Sequence, residues 1–390
     1  MKDEIRDVSD ILYHYGESGL PYNSVVPPMV QSSIFCFDTF EEFRDAAADE
    51  AHHYLYSRGN NPTVELCEKK IAALEHGERA KLVSSGVAAI SSAVMPWLKS
   101  GDHVVAVNDC YSWAHYLLDV YLRRFGVEVT FVEGCKVSDF EEAIKENTKL
   151  IYLESPATFT FKLQPLQEIA VLAKSRGIKT VIDNTWATPL FQNPLDLGID
   201  IVVHSTTKYI GGNSDLVGGV IIGSEEDVTR IFNEQFLALG PVPDPFMAWL
   251  ILRNLRNLAV RMPVHYRNAL ELSKWLETRE DVESVNYPLL ESFPQYELAR
   301  KQLKGGSGLF SVRLKTRNLD EVIRFTNSLK YFKIACSWGG YESLVDPSAI
   351  NYPEGKPVPD DRVSLIRFHA GLEDLDVLKA DLENAFKRMK

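Results

Sequence analysis

Apolar and polar positions along this chain alternate between two periods, and the alternation outlines a fold before any single residue is considered. From Pro62, the residues Val64, Leu66, Ile71 and Leu74 recur at helical spacing, and the pattern stops near Gly77. Beyond it the pattern predicts helices over 86–98, 113–125, 140–146 and 166–176. Between and after them it predicts strands over 103–107, 128–132, 150–153, 180–182, 199–203 and 218–222. A long helix over 245–277 follows, then a strand at 309–314, a helix at 319–329, a strand at 363–368 and a closing helix at 374–389. The first 55 residues hold Pro21, Pro27 and Pro28 and little sustained periodicity, so they read as an extended arm with a short helix over 40–48.

This order predicts an α/β fold: a mostly parallel sheet with helices on both faces, and a smaller C-terminal α/β domain. The expected division is an arm at 1–55, a large domain at 56–244 and a C-terminal domain at 245–390. In such sheets ligands bind beyond the carboxyl ends of the strands. The arm's apolar residues Val25, Val26, Met29, Val30, Ile34 and Phe35 have little to gain from a free monomer. They are expected to pack on another subunit, which makes the chain a homo-oligomer.

Composition narrows the class. The 390 residues are 45% apolar and 25% charged, as in a soluble globular protein of about two domains. A net charge of −12 argues against a nucleic-acid partner, because phosphate backbones need clustered Lys and Arg. No apolar run reaches the roughly 18 residues of a membrane helix, so no membrane partner is expected. The N-terminus Met1-Lys2-Asp3-Glu4-Ile5-Arg6-Asp7 shows no signal peptide. The five cysteines, Cys36, Cys67, Cys110, Cys135 and Cys336, form no C-x-x-C pair, and a reducing cytoplasm is the economical expectation.

Candidate chemistry concentrates where two short apolar runs end. One leads into Asp183-Asn184-Thr185-Trp186, the other into His204-Ser205-Thr206-Thr207-Lys208-Tyr209. An isolated strand-end Asp or Lys is usually a cap or an exposed charge. Together they match what pyridoxal phosphate (PLP) requires: an amine for its aldehyde, an acid for its ring nitrogen and donors for its phosphate. Lys208 would hold the aldehyde, Asp183 the ring nitrogen, and Ser205 and Thr207 the phosphate. Upstream, Ser84-Ser85-Gly86-Val87-Ala88-Ala89 opens a helix, where unpaired N–H groups can receive a phosphate, although an N-cap serine explains the same letters. Tyr111, just past a strand, could stack on a ring or transfer a proton. Arg367 stands among alternating apolar residues, where its charge would be costly to bury unpaired, and a substrate carboxylate would satisfy it.

These words, with Tyr56-Ser57-Arg58-Gly59-Asn60-Asn61-Pro62-Thr63, closely resemble the cysteine and methionine metabolism (transsulfuration) family of PLP enzymes, from about Pro27 to Leu375. The resemblance implies the type I PLP-transferase fold and an amino-acid substrate. It implies that Gly86 and Val87 contact the cofactor phosphate, that Tyr111 covers its ring, and that Tyr56 and Arg58 reach into a neighbouring subunit to bind the phosphate there. Such sharing requires a dimer at least, within a tetramer. It also implies that Arg367 receives the substrate carboxylate, with help from the segment of Ser337 and Trp338. Lys208 would take the Cα proton, and expulsion of a β-thiolate would then make the chain a carbon–sulfur lyase on L-cystathionine or a similar thioether. A γ-acting lyase or synthase, and an aminotransferase or decarboxylase, are the rivals within PLP chemistry.

Three letters depart from the family pattern: Thr158 replaces the asparagine of E-S-P-T-N-P, Asn213 stands where G-H-S-D is common, and Cys336 stands where relatives often carry Glu or Tyr. Other motifs are missing. There is no P-loop and no G-x-G-x-x-G after a strand, which disfavours a nucleotide-binding oxidoreductase, and no G-x-S-x-G around Ser84 or Ser85. His52-His53 lacks further ligands at metal spacing, so no metal is expected.

Overall fold

The structure, a computed structural model, describes residues 7–352 and 355–389. The charged start of the expected arm, up to Arg6, lies outside the described residues. The chain forms two compact units. The first runs from the N-terminal segment to Ser155 and continues through Gln164–Gly211 and Asp215–Asn257; the second takes Pro156–Leu163, Gly212–Ser214 and everything from Leu258 onward.

The first unit is built on seven strands: β1 (Arg79–Val83), β2 (His103–Val107), β3 (Glu128–Val132), β4 (Thr148–Glu154), β5 (Lys179–Asp183), β6 (Ile201–Ser205) and β7 (Gly219–Gly223). Their order is β1-β7-β6-β5-β4-β2-β3, parallel from β6 across to β3, with β7 antiparallel to both neighbours. Every residue of β2 and β7 is buried, as expected of central strands covered on both faces. β5 and β6 extend one and two residues past the predicted strands, so Asp183 and Ser205 are their last residues. The chain reverses direction across the sheet at β2 and β4, and ligand crevices of such sheets open at this kind of switch point.

β1 was not anticipated, because Arg79-Ala80-Lys81-Leu82-Val83 breaks the apolar pattern with a lysine that is 1% exposed. The Lys81 ammonium is satisfied inside: it donates to Gly59 O at 2.8 Å and Asn60 Oδ1 at 3.0 Å, and pairs with Glu68 Oε1 at 3.2 Å. Burial pushes the Lys81 pKa down and the Glu68 pKa up, each opposed by the other's charge. The pair thereby pins the loop that carries Tyr56 and Arg58 to the sheet. The predicted helix over 86–98 ends at Val94, since Pro96 cannot continue it, and a 3₁₀ turn over Met95–Trp97 closes it. The helix over 113–125 is an α-, π- and 3₁₀-helical succession from Ser112 to Phe125.

In the N-terminal region the helix Phe40–Ala48 is present as expected, capped by the Thr39 side chain. A further helix, Val8–Tyr13, was not predicted; Lys70 holds it by donating to Ile11 O and Leu12 O. Val25, Val26, Met29 and Ile34 are exposed, whereas Val30 and Phe35 are half-buried.

The second unit carries a five-stranded sheet of β8 (Val282–Asn286), β9 (Leu309–Leu314), β10 (Lys333–Ile334), β11 (Leu344–Pro347) and β12 (Leu365–His369), in the order β10-β11-β12-β9-β8. The long helix predicted over 245–277 is two: Pro245–Leu255 belongs to the first unit and Leu258–Glu277 to the second. The closing helix Leu375–Met389 buries Leu378, Leu382, Ala385 and Phe386. No helix of the described residues is long and apolar enough to cross a membrane.

Removing one partner of the Lys81–Glu68 pair leaves a buried charge uncompensated. Glu68→Ala is therefore expected to lower the urea-unfolding midpoint by the equivalent of about 3–5 kcal/mol. Replacing both residues with apolar ones, as Glu68→Leu with Lys81→Met, should recover more than half of that loss.

Candidate active site

The carboxyl ends of β5 and β6 are tied together by one side chain. Thr185 donates to Asp183 Oδ1 from both its backbone N–H, at 2.9 Å, and its hydroxyl, while that hydroxyl accepts the Ser205 N–H at 2.9 Å. Asp183 and Ser205 are thus held in fixed relation at the edge of the sheet. Burial raises the Asp183 pKa, and the Thr185 hydrogen bonds and the charges of His204 and Lys208 oppose that rise. A buried carboxylate held by donors on one side is suited to receive a cationic ring nitrogen.

Behind Asp183 lies a polar network that the sequence did not disclose. His204 Nε2 is 2.9 Å from Glu75 Oε2, and the other Glu75 oxygen accepts from Asn184 Nδ2 at 3.0 Å. Asn184 in turn bonds Gln192 through its oxygen and its nitrogen, at 2.9 Å each. All four side chains are buried. Burial raises the Glu75 pKa, with His204 as the main opposing charge. Glu75 and His204 are 129 residues apart, so no local spacing links them.

The helix Gly86–Val94 points its N-terminus at Ser205. A Cβ built on Gly86 would lie 2.8 Å from Ser205 Oγ, so only glycine allows this approach. Ser85 caps the helix by accepting the Ala88 N–H at 3.1 Å, and this leaves the first-turn amides of Gly86 and Val87 beside the serine hydroxyl. Amides, a hydroxyl and a helix dipole together fit a phosphate. The N-cap reading and the phosphate reading are therefore compatible. Thr207, expected to bind phosphate, has its hydroxyl engaged with both the carbonyl, at 3.2 Å, and the N–H, at 3.1 Å, of Gly218. Lys208 follows on the same turn, its N–H bonded to Ser205 O at 3.1 Å.

Tyr111 stands beside the switch point, where its N–H donates to Glu154 Oε2 at 2.7 Å, and the residue is 40% exposed. Glu154 is a buried positioning group that sequence reasoning did not single out. Asp183, Ser205, Gly86, Val87, Lys208 and Tyr111 thus lie at strand ends and helix starts of one unit, and their donors and acid fit PLP.

Tyr56 and Arg58 form a separate cluster at the surface. The guanidinium lies 5.6 Å from the Tyr56 ring centroid and 3.7 Å from Glu50. Asn60 Nδ2 fixes their loop through Glu50 O and Ala51 O, at 2.8 and 2.9 Å. In the second unit, Ser337 adopts a left-handed backbone with φ of 75°, and the next peptide but one is anchored by Gly339 N–H to His369 Nε2 at 3.1 Å. Between these points stands Trp338. Arg367 is not left to a ligand alone, as its sequence context suggested: its guanidinium is paired with Asp346.

A raised folded-state pKa means that the folded chain holds the Asp183 proton more tightly than the unfolded chain does. The resulting stability is full below the ordinary carboxylate range, about pH 4, and is lost as pH rises through the raised value. Without cofactor, Asp183→Asn should therefore melt at a higher temperature than the parent at pH 7.5, and the two should converge on acidification. A difference between parent and variant that is the same at both ends of the titration would contradict this account of Asp183.

Residues 11–387 match the family model described as Cys/Met metabolism PLP-dependent enzyme. The chain is similar to an L-methionine gamma-lyase of Treponema denticola, 36% identical over 96% of both chains. It is 41% identical to a putative cystathionine gamma-lyase 2 of Caenorhabditis elegans, over 94% of this chain and 93% of that one. It is 35% identical to a putative cystathionine beta-lyase of Rhizobium johnstonii, over 96% and 94%. Among solved structures, metB from Corynebacterium glutamicum superposes with a TM-score of 0.91 at 35% identity, covering 99% of each chain. The fold is accordingly that of the type I PLP enzymes, and the chain belongs to the PLP-dependent enzymes of cysteine and methionine metabolism.

Proposed function

We propose that the protein is a carbon–sulfur lyase that cleaves L-cystathionine, or a closely related cysteine thioether, by β-elimination to a thiol, pyruvate and ammonia. The observation that carries the PLP reading is the tie between Asp183, Thr185 and Ser205, which sets a buried acid and phosphate donors at fixed separation one turn before Lys208, and the similarity to relatives described as lyases supports carbon–sulfur cleavage. PLP, when bound, supplies an electron sink for the bond broken at Cα.

The chain's own residues would do the rest. Asp183 would keep the ring nitrogen protonated, with its charge maintained by the Thr185 donors. Ser205, Gly86 and Val87 would hold the phosphate, with Thr207 bracing their turn against Gly218. Tyr56 and Arg58 would complete that phosphate site in a neighbouring subunit of a homo-oligomer, which matches their display on the surface. The Lys208 amine would anchor the cofactor and, once displaced by the substrate amine, take the Cα proton. Tyr111, half-exposed and held by Glu154, would cover the ring and assist proton transfer. Arg367 would receive the substrate carboxylate, beside Ser337 and Trp338. The β C–S bond then breaks, the thiolate leaves and takes up a proton, and water hydrolyses the released three-carbon enamine.

The preference for β- over γ-elimination rests on the segment Cys336-Ser337-Trp338-Gly339-Gly340-Tyr341, which resembles the β-lyase branch. γ-Elimination needs a second proton removed at Cβ, and position 336, where γ-acting relatives often carry Glu, holds the thiol of Cys336 in place of a carboxylate. A γ-acting lyase is the second reading, favoured by the relatives described as L-methionine gamma-lyases.

Product analysis with L-cystathionine separates the two. Homocysteine with pyruvate is the expected dominant pair, and cysteine with 2-oxobutyrate would establish γ-cleavage instead. Absence of cleavage of any thioether would remove the protein from the lyases.

A further inference from the structure

On one face of the second sheet, four adjacent strands set Asp346, Arg367, Ser311 and Asn286 in a single cross-strand row. Asp346 on β11 is opposite Arg367 on β12, Arg367 is opposite Ser311 on β9, and Ser311 is opposite Asn286 on β8. Directly opposed residues share a face and interact, so the row is a built unit rather than a chance of side-chain placement. Asn286 Nδ2 donates to Ser311 Oγ at 2.9 Å, and Ser311 Oγ donates to the Phe159 carbonyl at 2.6 Å.

Phe159 has a φ of 60°, an uncommon backbone state for an aromatic residue, and the Ser311 bond helps hold it there. Its ring lies 4.8 Å from the Arg367 guanidinium carbon. The guanidinium is therefore stacked on an aromatic ring on one side and paired through an η-nitrogen with Asp346 at its edge. Arg367 and Asp346 are only 11% and 15% exposed, so neither charge is well served by water.

A charge buried this far needs a partner at all times, and Asp346 supplies it when no ligand is present. An amino-acid carboxylate would make the same kind of bond to the same group. Two carboxylates on one guanidinium repel each other and leave a net negative charge in a poorly hydrated place, so the incoming group must displace or crowd Asp346. Burial raises the Asp346 pKa and Arg367 opposes the rise, as expected of a carboxylate whose charge depends on this one neighbour.

We propose that Asp346 is a specificity-determining residue that competes with the substrate carboxylate for Arg367 and so sets how tightly the site takes an amino acid. The proposal rests on the reading of Arg367 as the carboxylate receptor. Apparent affinity falls by the fraction of protein in which the receptor is already occupied, so removing the competitor tightens binding. A ligand whose second carboxylate lies close beside the first meets added repulsion, which turns the site against short dicarboxylic amino acids such as aspartate, whereas the second carboxylate of L-cystathionine is held away at the far end of a long chain.

The test uses the PLP-loaded enzyme and two readouts: KM and kcat for the thioether it cleaves, and the dissociation constant of propionate from an NMR titration, which needs no turnover. Asp346→Asn and Asp346→Ser, one keeping the shape and one shrinking it, should each lower KM and the propionate constant by about fivefold or more, with kcat changed less than KM. Arg367→Lys, which keeps a charge but loses the fork, should raise both constants by at least about tenfold. If Arg367→Lys behaves so while both Asp346 variants leave the constants unchanged or raised, Asp346 supports Arg367 rather than competing for it, and the proposal is overturned. If Arg367→Lys leaves both constants unchanged, the carboxylate-receptor reading fails first and takes the proposal with it.

Discussion

Keeping a carboxylate charged inside a protein is expensive, and the first unit is arranged around that constraint at Asp183. Thr185 meets it with two donors only two residues on in the chain, and the same hydroxyl accepts the backbone N–H of Ser205. One threonine therefore sets both the charge of the acid and the spacing between the ends of β5 and β6. From that spacing follow the approach of the helix at Gly86, which tolerates no Cβ, and the turn that leads to Lys208. The buried Glu75–His204 pair and its Asn184–Gln192 extension stiffen the same region from behind. Such buried networks are costly to disturb, because any lost partner strands a polar group away from water.

The parts of this arrangement legible in the sequence are those that local pattern determines. Apolar runs ending in Asp183 and in Ser205 through Lys208 announce strand ends, and strand ends in an alternating α/β chain announce a site. The strands 103–107, 128–132 and 309–314 and the helix 40–48 match their predicted limits because nothing non-local competes with their periodicity. β1 escaped notice because its buried Lys81 reads as a surface residue until Glu68, Gly59 and Asn60 are seen around it. β11 escaped because Asp346 and Pro347 look like a turn, and the ion pair across to Arg367 that justifies the aspartate spans 21 residues. The break between the helices Pro245–Leu255 and Leu258–Glu277 has no proline or glycine to mark it.

The two units handle buried charge by the same physical means. Each holds a charged side chain in register with neighbouring strands and gives it an internal partner: Thr185 for Asp183 in one, Asp346 for Arg367 in the other. A partner of this kind keeps a buried charge satisfied without a ligand, and in the proposed reading of Arg367 it is also what a substrate carboxylate competes with. Stability and selectivity are then linked through the same contacts, which is common where a site retains polar groups at the expense of packing.

Lys208 is the group proposed to attach the cofactor, and the rest of the site is read from it. Borohydride treatment of the yellow, PLP-loaded protein, followed by peptide mapping by mass spectrometry, reads this directly. A stable pyridoxyl phosphate mass on the peptide bearing Lys208 is the predicted result. The same mass on another lysine with Lys208 unlabelled, or no covalent label on a protein that has bound PLP, would contradict it.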